Sequence, residues 1–242
     1  MAPKLVDFAG VLDGDYVLDV GCGTGSLTRA LLDVGSKVTV AGLDGSADFI
    51  KLARQNIADD RASFCLGDAQ ALQFSTNAFD KSISLLVMNF IPDAKSAVSE
   101  MRRVTRAGGT VAAAVWDYGD GMEMLRHLWD EAAAMDVSAV AKHEGNMPLC
   151  RQGELGALWS DEGLVNIEEA GLVIQMEFSS FEDYWLPFLT GPGPSGSYVS
   201  KLDASTQSAL KGRLREKLTH GREDEPFILS GRVWAVRGTV GS

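Results

Sequence analysis

The stretch Tyr16–Gly25, YVLDVGCGTG, decides the fold of this chain. Its first half, Tyr16–Val20, is short and almost uniformly apolar, which predicts a parallel strand buried on both faces. Gly21, Gly23 and Gly25 follow on alternate positions and predict a tight turn where the backbone comes close to a ligand. Because the helix after such a turn presents unpaired N–H groups, the stretch predicts a nucleotide-type binding site.

The next two predicted strands each lead into an acidic residue. Lys37–Leu43 runs into Asp44, and Ser63–Leu66 is followed closely by Asp68. A carboxylate about 20 residues after the glycine turn can accept hydrogen bonds from a ribose diol, which both NAD and S-adenosylmethionine (SAM) carry. Ser26 stands where the dinucleotide fingerprint has its last glycine. Ser26 and the additional acidic strand end at Asp68 favour SAM over NAD.

Segments of the first half of the chain also match the motifs of a known family, in its order and near its spacing. They are VLDVGCGTG (Val17–Gly25), VAGLDGSADFIKLARQN (Val40–Asn56), GDAQALQF (Gly67–Phe74), FDKSISLLVMNFIPD (Phe79–Asp93) and EMRRVTRAGGTVAAAVW (Glu100–Trp116). In these segments the chain resembles the class I SAM-dependent methyltransferases, in particular the methyltransferase type 11 branch that includes ubiquinone and menaquinone biosynthesis methyltransferases. The resemblance implies an α/β fold: a Rossmann-like doubly wound seven-stranded sheet of order 3-2-1-4-5-7-6, with strand 7 antiparallel and helical insertions.

The resemblance also implies roles for individual residues. Asp44 is expected to bind both ribose hydroxyls and Asp68 the adenine amino group, with the Ala69 amide on a ring nitrogen. Leu85 is expected to present its backbone carbonyl to the methionine ammonium group. The implied cofactor-binding set is Asp19, Gly21, Cys22, Gly23, Asp44, Gly45, Ser46, Asp68, Ala69 and Leu85.

Purely structural roles are the alternatives for the acidic residues. Asp44 could act as a helix cap or turn residue, and Asp68 could cap a turn. Asp19 lies inside the buried strand, where a carboxylate is costly unless it accepts hydrogen bonds. Its partners are the amides of the glycine turn, the SAM ammonium group that the resemblance implies, or both.

Methyl transfer makes modest demands on side chains. SAM brings an activated methyl group, so alignment and exclusion of water supply much of the rate, and no metal site or catalytic triad is expected. A general base would help an oxygen or nitrogen nucleophile to lose its proton. His127, His143 and His220 are candidates by type, and each also fits an ordinary structural role. His143, in a loop-like stretch past the fifth strand, is a weak catalytic candidate, and no other catalytic residue is identified.

Composition narrows the class of protein. The chain has 242 residues and a formal net charge of -11, which argues against a nucleic-acid partner because such binding relies on Lys and Arg. The three cysteines are scattered and predict a reduced, cytoplasmic protein without a zinc site. No apolar run approaches the roughly 18 residues that insertion into a membrane requires. The sequence is also compatible with the formation of a homodimer.

The expected organisation is one domain over residues 1–242. Residues 1–118 form the SAM-binding half, and residues 119–242 form a substrate-side half with a helical insertion at about 181–226. The resemblance implies a further N-terminal helical segment over the cofactor, of which only the last stretch falls within this sequence.

Helix and strand boundaries follow from periodicity and stop signals. In the first half, a helix is expected to stop at Gly35, and the next to begin at Ser46 with Phe49, Leu52, Ala53 and Ile57 on one face. A strand is expected to span Phe79–Phe90. A helix from Pro92-Asp93 to Gly108-Gly109 and a strand at Thr110–Trp116 follow. The second-half expectations are helices at Gly121–Asp136, Gln152–Glu162 and Ala204–Leu218, strands at Leu172–Phe178 and Gly231–Arg237, and a flexible Gly191–Ser197.

These patterns predict a SAM-dependent methyltransferase that acts on a small-molecule acceptor and releases S-adenosylhomocysteine. Two alternatives come from other classes. One is a SAM-binding protein without turnover, and the other is an NAD(P)-dependent oxidoreductase on a similar sheet.

Overall fold

A computed structural model of the chain describes residues 1–190, 193–220 and 225–241. Within those residues, strands and helices alternate through the first half of the chain. The strands are β1 (Tyr16–Val20), β2 (Thr39–Asp44), β3 (Ala62–Leu66), β4 (Phe79–Leu85), β5 (Thr105–Trp116), β6 (Leu164–Phe178) and β7 (Phe227–Val240). The α-helices are α1 (Ala2–Phe8), α2 (Ser26–Leu32), α3 (Ala47–Asn56), α4 (Ala94–Val104), α5 (Glu123–Met135), α6 (Glu154–Asp161), α7 (Phe181–Thr190), α8 (Pro194–Val199) and α9 (Ala204–Thr219). Short 3-10 helices lie at Met88–Phe90, Val137–Lys142 and Glu144–Asn146.

The strands form one seven-stranded sheet in the order β3-β2-β1-β4-β5-β7-β6, with β7 antiparallel. The first five strands pair in parallel. Asp19 in β1 lies opposite Gly42, and Asp44 at the end of β2 lies opposite Leu66 at the end of β3. The expected order is confirmed, and the carboxyl ends of these strands meet at one edge of the sheet.

Burial of the central strands follows from their composition. Val17, Leu18 and Val20 of β1 are buried, as is the Ala112–Val115 stretch of β5. Strands covered on both faces read as continuous apolar runs, because neither face can hold polar side chains. Asp19, also buried, is the exception within β1.

Side-chain caps are present at two helix starts that the sequence predicts. The Ser46 hydroxyl accepts a hydrogen bond from the Phe49 amide at 3.3 Å, and Asp93 accepts one from the Ser96 amide at 3.0 Å. Each cap satisfies an amide that the first turn of a helix leaves unpaired. The expected helix starts at Ser46 and at Pro92-Asp93 are therefore confirmed to within a residue.

The buried face of α3 differs from the expectation. Phe49 and Leu52 are 47% and 41% exposed, whereas Ile50 and Ala53 are buried. The helix turns its Ile50–Ala53 stripe to the interior, because Ile50, Ala53 and Ile57 continue one helical face. The predicted face is therefore wrong at Phe49 and Leu52 and confirmed at Ala53 and Ile57, which are buried.

Two expected helix ends are also wrong. α2 ends at Leu32 with a right-handed cap at Asp33, so Gly35 does not stop it. α4 ends at Val104, and Gly108 and Gly109 lie inside β5. The pairing of β4 with β5 shifts register between Phe79 and Lys81, and the glycines occupy this irregular part of the strand.

The end of β4 comes earlier than predicted. β4 stops at Leu85, and Leu86 has a positive φ of 63°, which takes the chain out of the extended conformation. The expected strand to Phe90 is therefore wrong, and a 3-10 helix at Met88–Phe90 replaces its last part.

The chain divides into two compact units. Unit 1 comprises residues 1–115, 151–172 and 233–242, of which residue 242 lies outside the described residues, and it contains α1 to α4, β1 to β4 and α6. Unit 2 comprises residues 116–150 and 173–232, apart from 191–192 and 221–224, and it contains α5 and α7 to α9. A single domain with halves at 1–118 and 119–242 stays a prediction.

Unit 2 follows the second-half pattern closely. Leu125, Leu128, Trp129 and Ala132 of α5 are buried, as expected. Alternating burial along β6 confirms the expected pattern at Leu172–Phe178, although the strand begins at Leu164. Of the segment expected to be flexible, Gly191 and Pro192 lie outside the described residues, and Pro194–Ser197 begins α8, so the expectation is wrong there.

Candidate functional site

A cavity of about 490 Å³ opens in unit 1 at the carboxyl ends of β1 to β4. Its walls come from the glycine turn after β1, the segments after β2 and β3, and the segment after β4. The lining residues are Gly21, Leu43, Asp44, Gly45, Leu66, Gly67, Asp68, Ala69, Gln70, Val87, Phe90, Ile91 and Pro92. The sequence-predicted residues that line it are Gly21, Asp44, Gly45, Asp68 and Ala69.

Asp44 is held in place by two backbone amides. Its Oδ2 accepts a hydrogen bond from the Gly23 amide at 2.9 Å, and its Oδ1 accepts one from the Ser46 amide at 2.8 Å. Each carboxylate oxygen can accept a further hydrogen bond, because it has two lone pairs. Gly23 and Ser46 thus belong to the site as anchors of Asp44, although neither lines the cavity. The two amides therefore fix the orientation of the Asp44 carboxylate at the wall of the cavity.

Asp68 is oriented by Gln70, a residue that the sequence analysis does not single out. The Gln70 amide and its side-chain nitrogen both donate to Asp68 Oδ1, at 2.8 and 2.9 Å. Gln70 Oε1 in turn accepts a hydrogen bond from the Asp93 amide at 3.0 Å. Hydrogen bonds from Gln70 hold the pKa of Asp68 below its usual value. Among the described residues, Asp68 Oδ2 accepts no hydrogen bond, so it is open to a donor in the cavity.

Asp19 is buried in β1 and does not line the cavity. Its Oδ2 accepts a hydrogen bond from the Thr28 hydroxyl at 2.6 Å, while its Oδ1 has no partner among the described residues. Burial raises the pKa of Asp19 to about 7, and the nearby charge of Asp44 adds to this increase. A buried carboxylate oxygen without a donor is an arrangement that a cationic ligand can stabilise.

The amides of the glycine turn are used elsewhere, so they are not the partners of Asp19. The Gly21 and Cys22 amides donate to the Leu43 carbonyl at 2.7 and 3.0 Å, and the Gly23 amide donates to Asp44. These bonds tie the turn to the end of β2. The alternative in which the turn amides satisfy Asp19 is therefore wrong.

The turn approaches the end of β4 at Gly21. This residue has a φ of +73°, and a Cβ added there would lie 2.6 Å from both methyl groups of Val87. Only glycine combines this backbone conformation with such a close approach. Because Val87 also lines the cavity, the contact fixes the distance between the glycine turn and the opposite wall.

Cys22 and Leu85 lie beside the cavity rather than in it. Cys22 is buried, and burial raises the pKa of its thiol. Leu85 is the last residue of β4 and precedes the left-handed Leu86. Leu85 pairs with Ala114 of β5, and its role toward a ligand stays a prediction.

His143 lies in unit 2, where it caps the 3-10 helix at Glu144–Asn146. Its Nδ1 accepts a hydrogen bond from the Gly145 amide at 2.6 Å, and its ring packs 5.4 Å from that of Trp129. Burial lowers the pKa of His143. Since Nδ1 accepts, the proton of the neutral ring is on Nε2, and His143 must give up the cap to act as a general base.

The cavity has an apolar rim that the sequence analysis misses. Leu66 and Phe90 line it and are 59% and 55% exposed. Exposed apolar side chains beside a concave surface are typical of ligand sites. Both residues belong to apolar runs that read equally well as core, so the sequence offers no signal for their exposure.

The arrangement suits a ligand with a cis-diol, a planar apolar part and a positive charge. Asp44 offers acceptors for a diol, the rim offers apolar surface, and Asp68 offers an acceptor at the end of β3. Across the described ranges, no group of His, Cys, Asp and Glu side chains is placed to hold a metal ion. None of the helices in those ranges has the length and apolar character needed to span a bilayer.

Comparisons with known proteins agree with this geometry. Residues 18–113 match a family model described as "Methyltransferase domain". A demethylmenaquinone methyltransferase of Renibacterium salmoninarum is 31% identical over 144 residues, which are 60% of this chain and 59% of that protein. A 2-methyl-6-phytyl-1,4-hydroquinone methyltransferase of Synechocystis is 34% identical over 163 residues, or 66% of this chain and 47% of that protein. The chain thus spans about half the length of the curated relatives it matches.

A solved structure has the same fold. Phosphoethanolamine N-methyltransferase 2 of Haemonchus contortus, determined in complex with SAM, superposes with a TM-score of 0.62 at 17% identity, covering 100% of this chain and 52% of that one. By the family match and these relatives, residues 18–113 are similar to methyltransferase domains.

Proposed function

We propose that this chain is an enzyme that transfers a methyl group from SAM to a small-molecule acceptor and releases S-adenosylhomocysteine. The observation that carries the proposal is the cavity shared by Gly21, Asp44 and Asp68 at the carboxyl ends of β1 to β3. These residues come from separate segments of the chain, and the sheet brings them to one ligand-sized space. The methyltransferase family of residues 18–113 supports the same ligand.

The site residues divide the recognition of SAM between them. Asp44 accepts hydrogen bonds from the ribose hydroxyls, because Gly23 and Ser46 hold both of its oxygens in place. Asp68 accepts a hydrogen bond from the adenine amino group, and the Ala69 amide serves a ring nitrogen. Leu66 and Phe90 cover the faces of the base. Gly21, Cys22, Gly45 and the Leu85 carbonyl complete the expected cofactor-binding set.

Asp19 serves the positive end of the cofactor electrostatically. Its unpartnered Oδ1 and raised pKa mark a carboxylate that is destabilised by burial. A nearby ammonium group favours the charged form and relieves part of this cost. Asp19 thus contributes to selection of a cationic ligand without lining the cavity.

Bound SAM supplies a methyl group on a sulfonium centre, which needs no activation by the protein. The chain therefore has to bind the acceptor, align its nucleophilic atom and keep water out. His143 stays a weak candidate for a general base, since its Nδ1 already accepts the Gly145 amide.

The acceptor is proposed to be a quinone-type or other small molecule. Relatives that align over 144 and 163 residues of the chain bear the names demethylmenaquinone methyltransferase and 2-methyl-6-phytyl-1,4-hydroquinone methyltransferase. A cytoplasmic enzyme without a nucleic-acid partner is part of the proposal. It rests on the net charge of -11 and on Cys22, Cys65 and Cys150, none of which forms a disulfide bond within the described residues.

Binding and turnover measurements test the proposal in sequence. Isothermal titration with S-adenosylhomocysteine is expected to show one site in the micromolar range, and NADH is expected to bind far more weakly. Tighter binding of NADH would favour the oxidoreductase alternative instead. Incubation with methyl-labelled SAM and a panel of hydroquinones, phenols and amines is expected to label at least one acceptor. Tight SAM binding with no labelled product across the panel would favour the binding protein without turnover.

A further inference from the structure

A second cavity lies within unit 2, and none of its lining residues is assigned to the cofactor. It has a volume of about 460 Å³ and is lined by Pro194, Ser197, Tyr198, Lys201 and Leu202. These residues belong to α8 and to the turn that follows it. Ligand pockets for small organic molecules occupy this range of volumes.

One wall of this cavity is fixed by a buried carboxylate. Glu144 is buried, and its two oxygens accept hydrogen bonds from the Trp129 indole N–H and from the Ser195 amide, the latter at 2.7 Å. The ring of Tyr198 packs 5.1 Å from that of Trp129. α8 is thus tied to α5 both through Glu144 and through the ring contact. The cavity wall is preformed, which lowers the entropy cost of binding a ligand there.

The lining combines apolar surface with a cation and a hydroxyl. Pro194, Leu202 and the ring of Tyr198 supply the apolar part. Within the described residues, the Lys201 ammonium forms no ion pair and the Ser197 hydroxyl forms no hydrogen bond. By contrast, Lys211 of α9 is paired with Glu182 at 2.7 Å.

The acidic groups nearby are already engaged. Asp136, whose negative charge adds to the increase that burial causes in the pKa of Tyr198, accepts hydrogen bonds from the Ser138 amide and hydroxyl. Asp203 caps α9, where it accepts hydrogen bonds from the Thr206 amide and from the Ser205 and Thr206 hydroxyls. In a chain of net charge -11, an unpaired ammonium group beside an apolar cavity favours a ligand that supplies the missing negative charge.

We propose that this cavity binds a small organic anion, with an aromatic or apolar body against Tyr198 and an ionised carboxylate or phenolate at Lys201 and Ser197. The proposal does not depend on methyl transfer. Its failure is therefore distinguishable from failure of the proposed function, which is tested by cofactor binding in unit 1. The anion is either the methyl acceptor or a separate ligand, and the two have the same chemistry at this site.

Binding of 4-hydroxybenzoate tests the proposal directly. Titration followed by amide NMR is expected to shift the signals of Ser197, Tyr198 and Lys201. The neutral analogue 4-hydroxybenzamide is expected to bind at least tenfold more weakly. No saturable binding at 10 mM ligand, or shifts confined to other residues, would overturn the proposal.

Variants separate charge from shape. Lys201→Gln is expected to weaken 4-hydroxybenzoate binding at least tenfold and to leave 4-hydroxybenzamide unchanged, whereas Lys201→Arg is expected to retain most of the affinity. Lys4→Gln removes the same charge from an exposed lysine of α1 and is the matched control. Ser197→Trp, at an exposed position, is expected to fill the cavity and abolish binding of both ligands. Equal affinity in Lys201→Gln and the wild type would contradict the assignment.

Labelled SAM distinguishes the two sources of the anion. Methyl incorporation into 4-hydroxybenzoate that is lost in Ser197→Trp identifies the cavity as the acceptor site. Binding that depends on Lys201, without incorporation, identifies a separate ligand site. Either result supports the cavity as an anion site, and binding or incorporation that neither variant changes refutes it.

Discussion

At the scale of single residues, Asp44 is the centre of the candidate cofactor site. Two backbone amides orient its carboxylate toward the cavity. Asp44→Asn keeps the shape of the side chain but replaces one acceptor oxygen by a donor. We expect this change to weaken binding of S-adenosylhomocysteine by roughly 10- to 100-fold, since a charge-assisted hydrogen bond contributes about 1.5–3 kcal/mol. Isothermal titration measures the change.

Asp48→Asn is the matched control for Asp44→Asn. Asp48 lies in the first turn of α3, is exposed and makes no side-chain hydrogen bond within the described residues. The Asp48→Asn variant is expected to bind S-adenosylhomocysteine with the affinity of the wild type. Circular dichroism establishes that both variants fold. If Asp44→Asn bound S-adenosylhomocysteine as tightly as Asp48→Asn, Asp44 would have no part in the site.

The raised pKa of Asp19 leads us to expect that the stability of the protein depends on pH. Burial raises its pKa in the folded protein to about 7, above the ordinary value of 3.8 that applies to the unfolded chain. Between pH 4 and 7 the folded state therefore holds more protons at this residue than the unfolded state. The contribution of Asp19 to the free energy of unfolding falls as pH rises through this window, by at most about 1.4 kcal/mol per pH unit, and is constant above it.

Asp19→Asn removes this titration. The unfolding free energy of the variant, relative to wild type, is expected to increase from pH 4.5 to pH 7 and then to stay level. Urea denaturation at pH 4.5, 6, 7 and 8 measures the difference. Asp48→Asn again serves as the control, and parallel pH profiles for wild type and Asp19→Asn would show that Asp19 does not titrate in this window.

The sequence predicts some of these residues and not others, for a physical reason. Asp44 and Asp68 follow apolar runs, so their position at strand ends can be predicted from local pattern. Gln70 and Val87 have no such signal. Gln70 matters because it lies between Asp68 and the Asp93 amide, and Val87 because the end of β4 approaches Gly21. Both contacts arise from tertiary packing.

At the scale of elements, the glycine turn after β1 is coupled to the end of β4. Gly21→Ala introduces a methyl group 2.6 Å from the Val87 side chain, at a φ of +73°. We expect a loss of about 1–3 kcal/mol in unfolding free energy, and weaker SAM binding because the turn must move. Denaturation and isothermal titration measure the two effects.

Two further variants separate the effect of backbone strain at a positive φ from that of the steric clash with Val87. Gly14→Ala places alanine at a φ of +102° with open space around it, so it should reduce stability without changing affinity for SAM. Adding Val87→Ala to Gly21→Ala removes the collision but not the backbone strain, and should restore part of the stability. Equal losses for the single and double variants would mean that the contact with Val87 is not responsible.

Element boundaries show what local pattern decides. The helix starts at Ser46 and Asp93 are predictable from local pattern, because each side chain can accept a hydrogen bond from the amide three residues on. The stop of β4 is not predictable in this way, since Leu86 adopts a positive φ without any glycine or asparagine to indicate it. Tertiary packing imposes this conformation beside the cavity, where local strain is typical of binding sites.

At the scale of the whole molecule, the order of the sheet is predicted from motifs spread over the first half of the chain. Those motifs fix β1 to β5, and the resemblance supplies the position of β6 and β7. In unit 2, α5 and α9 follow from the sequence pattern, whereas α8 begins in a segment expected to be flexible. The cavity beside Tyr198 depends on the link from Glu144 to Ser195, which joins residues 51 positions apart.

Ligand binding to the folded state is expected to stabilise the molecule against heat. A ligand at about 100 times its dissociation constant adds roughly 2.7 kcal/mol to the unfolding free energy. For a chain of this size each kcal/mol raises the melting temperature by about 2–4 °C, so saturating S-adenosylhomocysteine should raise it by about 5–11 °C.

Differential scanning calorimetry measures this increase in melting temperature, and NADH at the same concentration serves as the comparison. The shift should be much smaller in Asp44→Asn and unchanged in Asp48→Asn, because only Asp44 holds the ribose. A larger increase in melting temperature with NADH than with S-adenosylhomocysteine would mean that the cavity binds a dinucleotide. The reason is that, at equal concentration, the ligand that the folded state binds more tightly stabilises it more.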